Sequence, residues 1–330
     1  MRLSVLDQSA AVAGSSEDAA IRDTLDLASH CEHLGYHRFW LSEHHALPTI
    51  VGSAPEILMA AIAARTDRIR IGSAGVMLPH YSALKVAEQF RVLEALAPGR
   101  IDLGVGRAPG GDMRTARALN PHASGGAEDF PEQVRDLQAW TLQPSHLGIA
   151  ALPRGPHAPE IWILGSSDYG AQLAAHFGLP YAYAYFFVDG QGVEQALDLY
   201  RRLYRPSARH PAPQATICVW ALAADSHEAA CHHAMSRERW RVDRARGVLG
   251  PLQSPGAIAQ QGFDAADMPT VEAMRRKALV GTGAEVAQMI RALATRLELD
   301  EIVVNTWAQS PAVRRHSYAL LAEAFGLAPA

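Results

Sequence analysis

The amino-acid sequence predicts an α/β fold: a (β/α)8 TIM barrel with an insertion between strands 7 and 8. Three observations predict it. Short apolar runs alternate with helical patterns almost from end to end. Eight such runs favour a closed barrel over an open doubly wound sheet. Polar or small residues cluster where several runs end, at Trp40-Leu-Ser-Glu-His-His45, Gly72-Ser-Ala-Gly75 and Gly104-Val-Gly-Arg107. In an α/β barrel the ends of successive strands converge on one mouth, and the mouth holds the chemistry.

The predicted strands are 3–6, 38–41, 69–73, 101–105, 161–164, 181–187, 217–223 and 302–304. Between the first two, Ile21, Leu25, Ala28 and Leu34 keep a helical rhythm that Gly35 ends. Residues 55–64 form the next helix, with Pro55 at its start, where a missing N–H costs nothing. Helices follow at 84–96, 132–142, 171–177, 193–204 and 312–325. Helices between strands imply a parallel sheet with right-handed crossovers. The spacing breaks twice. Residues 107–131, rich in Gly, Pro, Asn and Ser, read as a long loop. Roughly 80 residues separate the last two strands, too many for one crossover helix. Helical patterns at 226–246 and 285–297 flank an irregular 247–269. Residues 224–280 therefore read as a lid insertion over the mouth of one domain spanning 1–330.

A formal net charge of -4 over 330 residues provides no basic field for nucleic acid. Cys31, Cys218 and Cys231 are widely spaced, with no C-x-x-C pair, which suits a reducing cytoplasm. The N-terminal segment lacks the apolar core and cleavage site of a signal peptide. No apolar run reaches the roughly 18 residues of a membrane span. Of 30 basic residues only Lys85 and Lys277 are lysines, a bias spread over the whole chain that fits a GC-rich genome.

Glu43-His44-His45 offers an imidazole that can take or give a proton near neutral pH, with a carboxylate to fix its tautomer. Neighbours on an extended chain point to opposite faces, so one histidine faces the pocket. A histidine satisfied within the loop is an equal alternative. A metal site is a third, weakened because the first strand ends Asp7-Gln8-Ser9 with no His-x-His. In Gly104-Val-Gly-Arg-Ala-Pro-Gly110 the third glycine of a dinucleotide fingerprint is replaced by Pro109. The glycines still admit a ligand to the backbone, and Arg107 offers a fork of donors for a phosphate, unless Asp112 pairs with it. Gly165, Ser166 and Ser167 open a helix after the fifth strand and form an anion site or a helix cap. Gly72-Ser-Ala74-Gly75 lets a flat ring lie against the backbone, or makes a tight turn. His227-Glu-Ala-Ala-Cys-His232 misses the H-E-x-x-H spacing and reads as a solvated helix. Trp220, Trp307 and Tyr185 sit near predicted strand ends, where they line a cavity or pack in the core.

The set Ser42-Glu-His-His45, Gly72-Ser-Ala-Gly-Val-Met-Leu-Pro79, Lys85-Val-Ala-Glu88, Pro98-Gly-Arg-Ile-Asp-Leu-Gly-Val-Gly-Arg107 and Leu164-Gly-Ser-Ser167 resembles the bacterial luciferase-like flavin-dependent monooxygenase superfamily. The resemblance runs over nearly the whole chain, in order, to the helix at Tyr318–Gly326. It is strongest to the single-chain, alkanal-monooxygenase-like branch, some of whose members tailor natural products. It implies the same barrel, binding reduced FMN (FMNH2), or in some branches a reduced deazaflavin coenzyme, at its mouth. It implies a two-component flavoprotein: a separate NAD(P)H:flavin reductase supplies FMNH2, and O2 gives a C4a-(hydro)peroxyflavin that oxygenates a small organic or natural-product substrate. His44 would serve that adduct, and Glu43 would position His44 or the flavin ring. Ala74-Gly75 would form a cis peptide against the ring. Arg107 and Ser166 would hold the phosphate, with Gly165 and Ser167 beside them. Where some relatives carry an acidic residue, this chain has Gly165, so that side-chain contact is lost. A cytoplasmic homodimer is implied by resemblance alone. Hydroxylation, epoxidation and Baeyer–Villiger insertion all stay open. So do a deazaflavin-dependent dehydrogenase, a non-catalytic flavin-binding protein and a metal-dependent barrel hydrolase.

Overall fold

Several strands of this chain are buried along their whole length, as parallel strands covered by helices must be: Arg38-Phe-Trp-Leu41 and Glu301-Ile-Val-Val-Asn305 have no exposed position. The computed structural model describes residues 1–107, 112–121 and 128–329. Its elements in chain order are β1 (Arg2–Asp7), α1 (Glu17–His33), β2 (Arg38–Leu41), α2 (Pro55–Ala63), β3 (Arg70–Met77), α3 (Ala83–Leu96), β4 (Ile101–Gly106), α4 (Met113–Leu119) and α5 (Phe130–Leu142). They continue with β5 (Glu160–Gly165), α6 (Asp168–Phe177), β6 (Tyr181–Tyr183), α7 (Val193–Leu203), β7 (Ala215–Ala224), α8 (His227–Ala245), α9 (Pro255–Gln261) and α10 (Met268–Lys277). The last are β8 (Leu279–Thr282), α11 (Gly283–Arg296), β9 (Glu301–Asn305) and α12 (Pro311–Phe325).

The strand order is β6-β5-β4-β3-β2-β1-β9-β7-β8, with β6 also paired to β7. This is the predicted closed (β/α)8 barrel, plus one extra strand, β8, which runs parallel to Ala221–Ala224 of β7. The chain groups into two compact units: Met1–His37, Leu47–Gly52 and Cys218–Ala330 in one, Arg38–Ala46 and Ser53–Ile217 in the other. No helix among the described residues is long and apolar enough to cross a membrane.

In the second unit a buried charge cluster sits at the N-terminal ends of β2 to β5. Arg38 Nη1 donates to Asp102 Oδ2 at 2.8 Å and to Glu160 Oε2 at 3.1 Å. Arg70 also pairs with Asp102, and Trp40 Nε1 donates to Asp102 Oδ2 at 2.9 Å. Burial alone would raise the Asp102 carboxyl, but the two guanidinium groups outweigh it and hold it below the usual range. In the first unit Arg314 and Asp7 form a second buried pair at 3.0 Å. Asp7 there also accepts from Ser9 N and Thr24 Oγ1, at 2.6 and 3.1 Å.

The elements depart from expectation in four places. The run 181–187 is not one strand: β6 stops at Tyr183, because its neighbour β5 ends at the paired Gly165, and Tyr185–Phe187 form a 3-10 turn. β3 does not end at Ser73 but continues to Met77, through a register shift between Ser73 and Val76. The stretch 107–131 contains α4, whose N-terminus is capped by Asp112 accepting from Thr115 N at 2.7 Å. Ala108, Pro109 and Gly110 of the glycine-rich motif lie outside the described residues. Finally, α9 lies in the stretch 247–269 read as irregular, and β8 spans the end of the stretch 224–280 read as insertion, both being too short to leave a periodic signal.

Candidate active site

The segment after β2 puts a buried carboxylate among three donors. Glu43 is 2% exposed. Its Oε1 receives the Tyr81 hydroxyl at 2.6 Å and lies 2.7 Å from His45 Nε2; its Oε2 receives the Met77 N–H at 3.0 Å. Burial, then the hydrogen bond to Glu43, push the Tyr81 hydroxyl well above the ordinary tyrosine range, so it stays a donor. His80 sits edge-on to His45, with ring centroids 6.3 Å apart.

This corrects one expectation. Glu43 holds His45, not His44. Residues two apart on an extended chain share a face, and adjacent ones do not. His44 instead has Nδ1 3.2 Å from Ser42 Oγ, again two residues away, and both histidines are half-buried.

Ala74 and Gly75 lie within β3 rather than at its end, at the register shift, and the peptide bond between them is cis. Gly75 is also a packing requirement. A Cβ there would stand 2.7 Å from the Gly104 carbonyl oxygen and would overlap the Leu164 side chain. Gly104 is reciprocal, since a Cβ there would overlap the Ser73 carbonyl. The Ser73 hydroxyl donates to that same Gly104 carbonyl at 2.8 Å. Glycines at both positions let β3 and β4 approach at the bulge.

Arg107 follows β4 immediately and is exposed. Its guanidinium stands 4.0 Å over the Tyr169 ring, in the first turn of α6. A cation–π contact at an exposed site is worth only about 0.5–1 kcal/mol, so its consequence is orientation rather than stability. Asp112, the alternative partner of Arg107, is the helix cap described above, accepting from Thr115 N. Gly165 ends β5, and Ser166 and Ser167 follow it with exposed side chains. Ser167 occupies the N-cap position of α6, yet its side chain makes no capping hydrogen bond. The Asp168 carboxylate in the same turn accepts from Gln195 Nε2 at 2.6 Å. The end of β4 thus carries a guanidinium held against the first turn of α6, and the exposed residues Ser166 and Ser167 directly precede that helix. That set of donors suits a phosphate.

Tyr81, the Met77 N–H and Tyr169 escaped sequence reasoning. Each acts through a partner distant in sequence. The only local sign was a polar aromatic one turn beyond the β3 run. On α8, His227 Nδ1 lies 3.3 Å from Glu285 Oε2, an exposed contact between helices.

A family model described as luciferase-like monooxygenase matches residues 1–299. A protein named luciferase-like monooxygenase from Escherichia coli (strain K12) is 40% identical over 318 residues, 96% of this chain and 95% of that one. The N-acetyl-S-alkylcysteine monooxygenase of Bacillus subtilis (strain 168) is 36% identical over 334 residues, 98% of each chain. Among solved structures, apo-MsnO8 has a TM-score of 0.92 at 35% identity, covering 100% of this chain and 99% of that one.

Proposed function

The chain belongs to the luciferase-like monooxygenase family, and on that premise we propose that it is an oxidoreductase that uses reduced FMN and O2 to oxygenate a small organic substrate. The observation that supports the cofactor reading is the Arg107–Tyr169 contact at 4.0 Å, which holds the guanidinium after β4 against the first turn of α6. Reduced FMN, when bound, supplies the activation of O2.

The chain's own residues bind, orient and move protons. Arg107, Ser166 and Ser167 hold the phosphate, and the N-terminal N–H groups of α6 add partial positive charge. Gly165, with no side chain, keeps that approach open. Ala74 and Gly75 offer a flat ring backbone and one methyl group. His44 is the group we assign to hold or move a proton at the reacting oxygen. Glu43 acts on the neighbouring His45 and, with Tyr81, keeps that loop in place. We assign substrate selection to 224–280, as the lid of one domain spanning 1–330. We assign the supply of reducing equivalents to a separate NAD(P)H:flavin reductase, which fits the interruption of the dinucleotide fingerprint by Pro109. A cytoplasmic homodimer belongs to the same proposal.

The test is an anaerobic titration with FMNH2 and, separately, with reduced deazaflavin, followed by O2. FMNH2 binding with O2 uptake is the expected result. Tighter deazaflavin binding without O2 uptake would make the chain a dehydrogenase, and bound flavin that never reacts would make it a flavin-binding protein. N-acetyl-S-alkylcysteines belong in the substrate panel because a relative is named for them.

A further inference from the structure

Thr49, fully buried in the first unit, joins three segments of that unit. Its hydroxyl donates to the Gly250 carbonyl at 2.6 Å, and the same oxygen receives the Trp240 Nε1–H of α8 at 2.7 Å. Its own carbonyl receives the Ala11 N–H at 2.8 Å. A hydroxyl has one hydrogen to give. Because the indole N–H takes an acceptor position of Thr49 Oγ1, that hydrogen is directed to Gly250.

Ala11 is the middle member of a small pairing of three segments. On one side the chain after β1 meets the chain after β2: besides the Ala11–Thr49 bond, the Val51 N–H donates to the Ser9 carbonyl at 3.1 Å. On the other side it meets the insertion: the Leu252 N–H donates to the Ala11 carbonyl at 2.9 Å, and the Ala13 N–H to the Leu252 carbonyl at 2.8 Å.

The stretch 248–253 differs from the rest of the insertion. Val242, Val271 and Met274 form an apolar cluster joined by Phe263, which packs α8 and α10. Helix α8 stops at Gly247, whose φ of +77° suits glycine, and the Val248 N–H closes on the Asp243 carbonyl at 2.9 Å. Helix α9 starts at Ser254, whose hydroxyl accepts from Ala257 N at 3.3 Å. Between these two helix ends Val248 and Leu249 are 58% and 43% exposed, and of 248–253 only Leu252 is buried. Hydrogen bonds at Gly250, Leu252 and Gln253, whose carbonyl receives the Ser236 hydroxyl at 2.7 Å, do most of the holding. Segments with few buried apolar contacts are the ones that open locally.

We propose that 248–253 is a strap that opens while the rest of the molecule stays folded, and that Thr49 is the positioning residue that latches it, aligned by Trp240. That opening admits the oxygenation substrate rests on the function proposed above; the latch does not.

The test is hydrogen exchange of the flavin-free protein, followed by mass spectrometry at several sub-denaturing urea concentrations. Peptides covering 11–13 and 250–253 report the strap, and peptides covering β9 report global unfolding. In the wild type the strap should exchange faster than β9 and depend less on urea, because its opening exposes little surface. Thr49→Val keeps the shape, removes the hydroxyl and should speed strap exchange about two- to tenfold, the scale of one hydrogen bond. Thr49→Ser keeps the hydroxyl and should match the wild type. Trp240→Phe removes only the aligning N–H and should fall between the wild type and Thr49→Val. Equal exchange and equal urea dependence of strap and β9 in the wild type overturns the strap. Unchanged strap exchange in Thr49→Val, or a Thr49→Ser as fast as Thr49→Val, overturns the latch. If circular dichroism shows that Thr49→Val does not fold, Trp240→Phe decides, and unchanged strap exchange there overturns the latch. No flavin enters this experiment, so failure of the FMNH2 titration sinks the oxygenase reading alone, and failure of the exchange test sinks the latch alone.

Discussion

Glu43 Oε1 lies 2.7 Å from His45 Nε2, and the same oxygen receives the Tyr81 hydroxyl at 2.6 Å. One buried carboxylate thus ties the loop after β2 to the loop after β3. Glu43→Ala strands these donors together with the Met77 N–H. The expected cost is at least about 1–3 kcal/mol by urea denaturation, the range for leaving buried polar groups unpaired. Glu43→Gln keeps one acceptor oxygen and should cost less. A loss within about 0.5 kcal/mol for Glu43→Ala, the scale of an ordinary surface change, would contradict this network.

The two histidines should separate kinetically. If His44 moves a proton at the reacting centre, His44→Ala should lower kcat by about 10²–10⁴-fold while FMN affinity holds. His45→Ala and Glu43→Gln act on one interaction, so their effects should combine to less than their sum in a double-mutant cycle. Turnover near wild type in His44→Ala would remove His44 from the mechanism.

Arg107 should discriminate FMN from riboflavin, which lacks the phosphate. Arg107→Ala removes charge-assisted bonds worth about 1.5–3 kcal/mol, or roughly 10- to 150-fold in FMN affinity, and leaves riboflavin unchanged. Tyr169→Phe keeps the ring under the guanidinium and should match wild type. Tyr169→Ala should lose about two- to fivefold. Equal losses for FMN and riboflavin in Arg107→Ala would sink the phosphate assignment.

Asp102 should make stability fall in acid. Arg38 and Arg70 overcome its burial and hold its carboxyl below the usual range in the folded chain. A group depressed in this way contributes stability above its unfolded value of about 3.9, and loses it as pH falls through the lower folded value. Asp102→Asn leaves the buried Arg38 and the half-buried Arg70 short of a counter-charge and should cost about 3–5 kcal/mol at neutral pH. That penalty should shrink well below about pH 4, where the wild-type carboxyl is itself neutralised. Denaturation curves that show the same penalty in acid and at neutrality would refute the linkage.

Much of the architecture could be read along the chain. Arg38–Leu41 and Ile101–Gly106 are apolar runs closed by polar or glycine residues, and both are strands. Leu279–Thr282 is too short and too close to helical sequence to announce itself as β8. The aromatic run from Tyr181 to Phe187 carries strand propensity throughout, but propensity yields once the partner β5 ends at Gly165. Gly72-Ser-Ala-Gly75 looked like a strand terminus, because small residues mark turns and close approaches alike. At the candidate site Glu43, His45 and Arg107 were visible as residue types. The partner of Glu43 was half-visible, since the two-residue period already pairs it with His45.

Periodicity and composition act over a few residues, so they suffice for the alternation of strand and helix, and hence for the barrel. They also suffice for which residues stand where strands end. They do not reach across the chain. Tyr81 meets Glu43 from 38 residues away, at the end of the next strand. Arg107 is set over Tyr169, and Arg237 over Trp220, only after separate segments have packed together. The chain itself therefore settled the fold and supplied the chemical groups. Folding decided which groups meet, because parallel strands bring together ends that the sequence keeps apart.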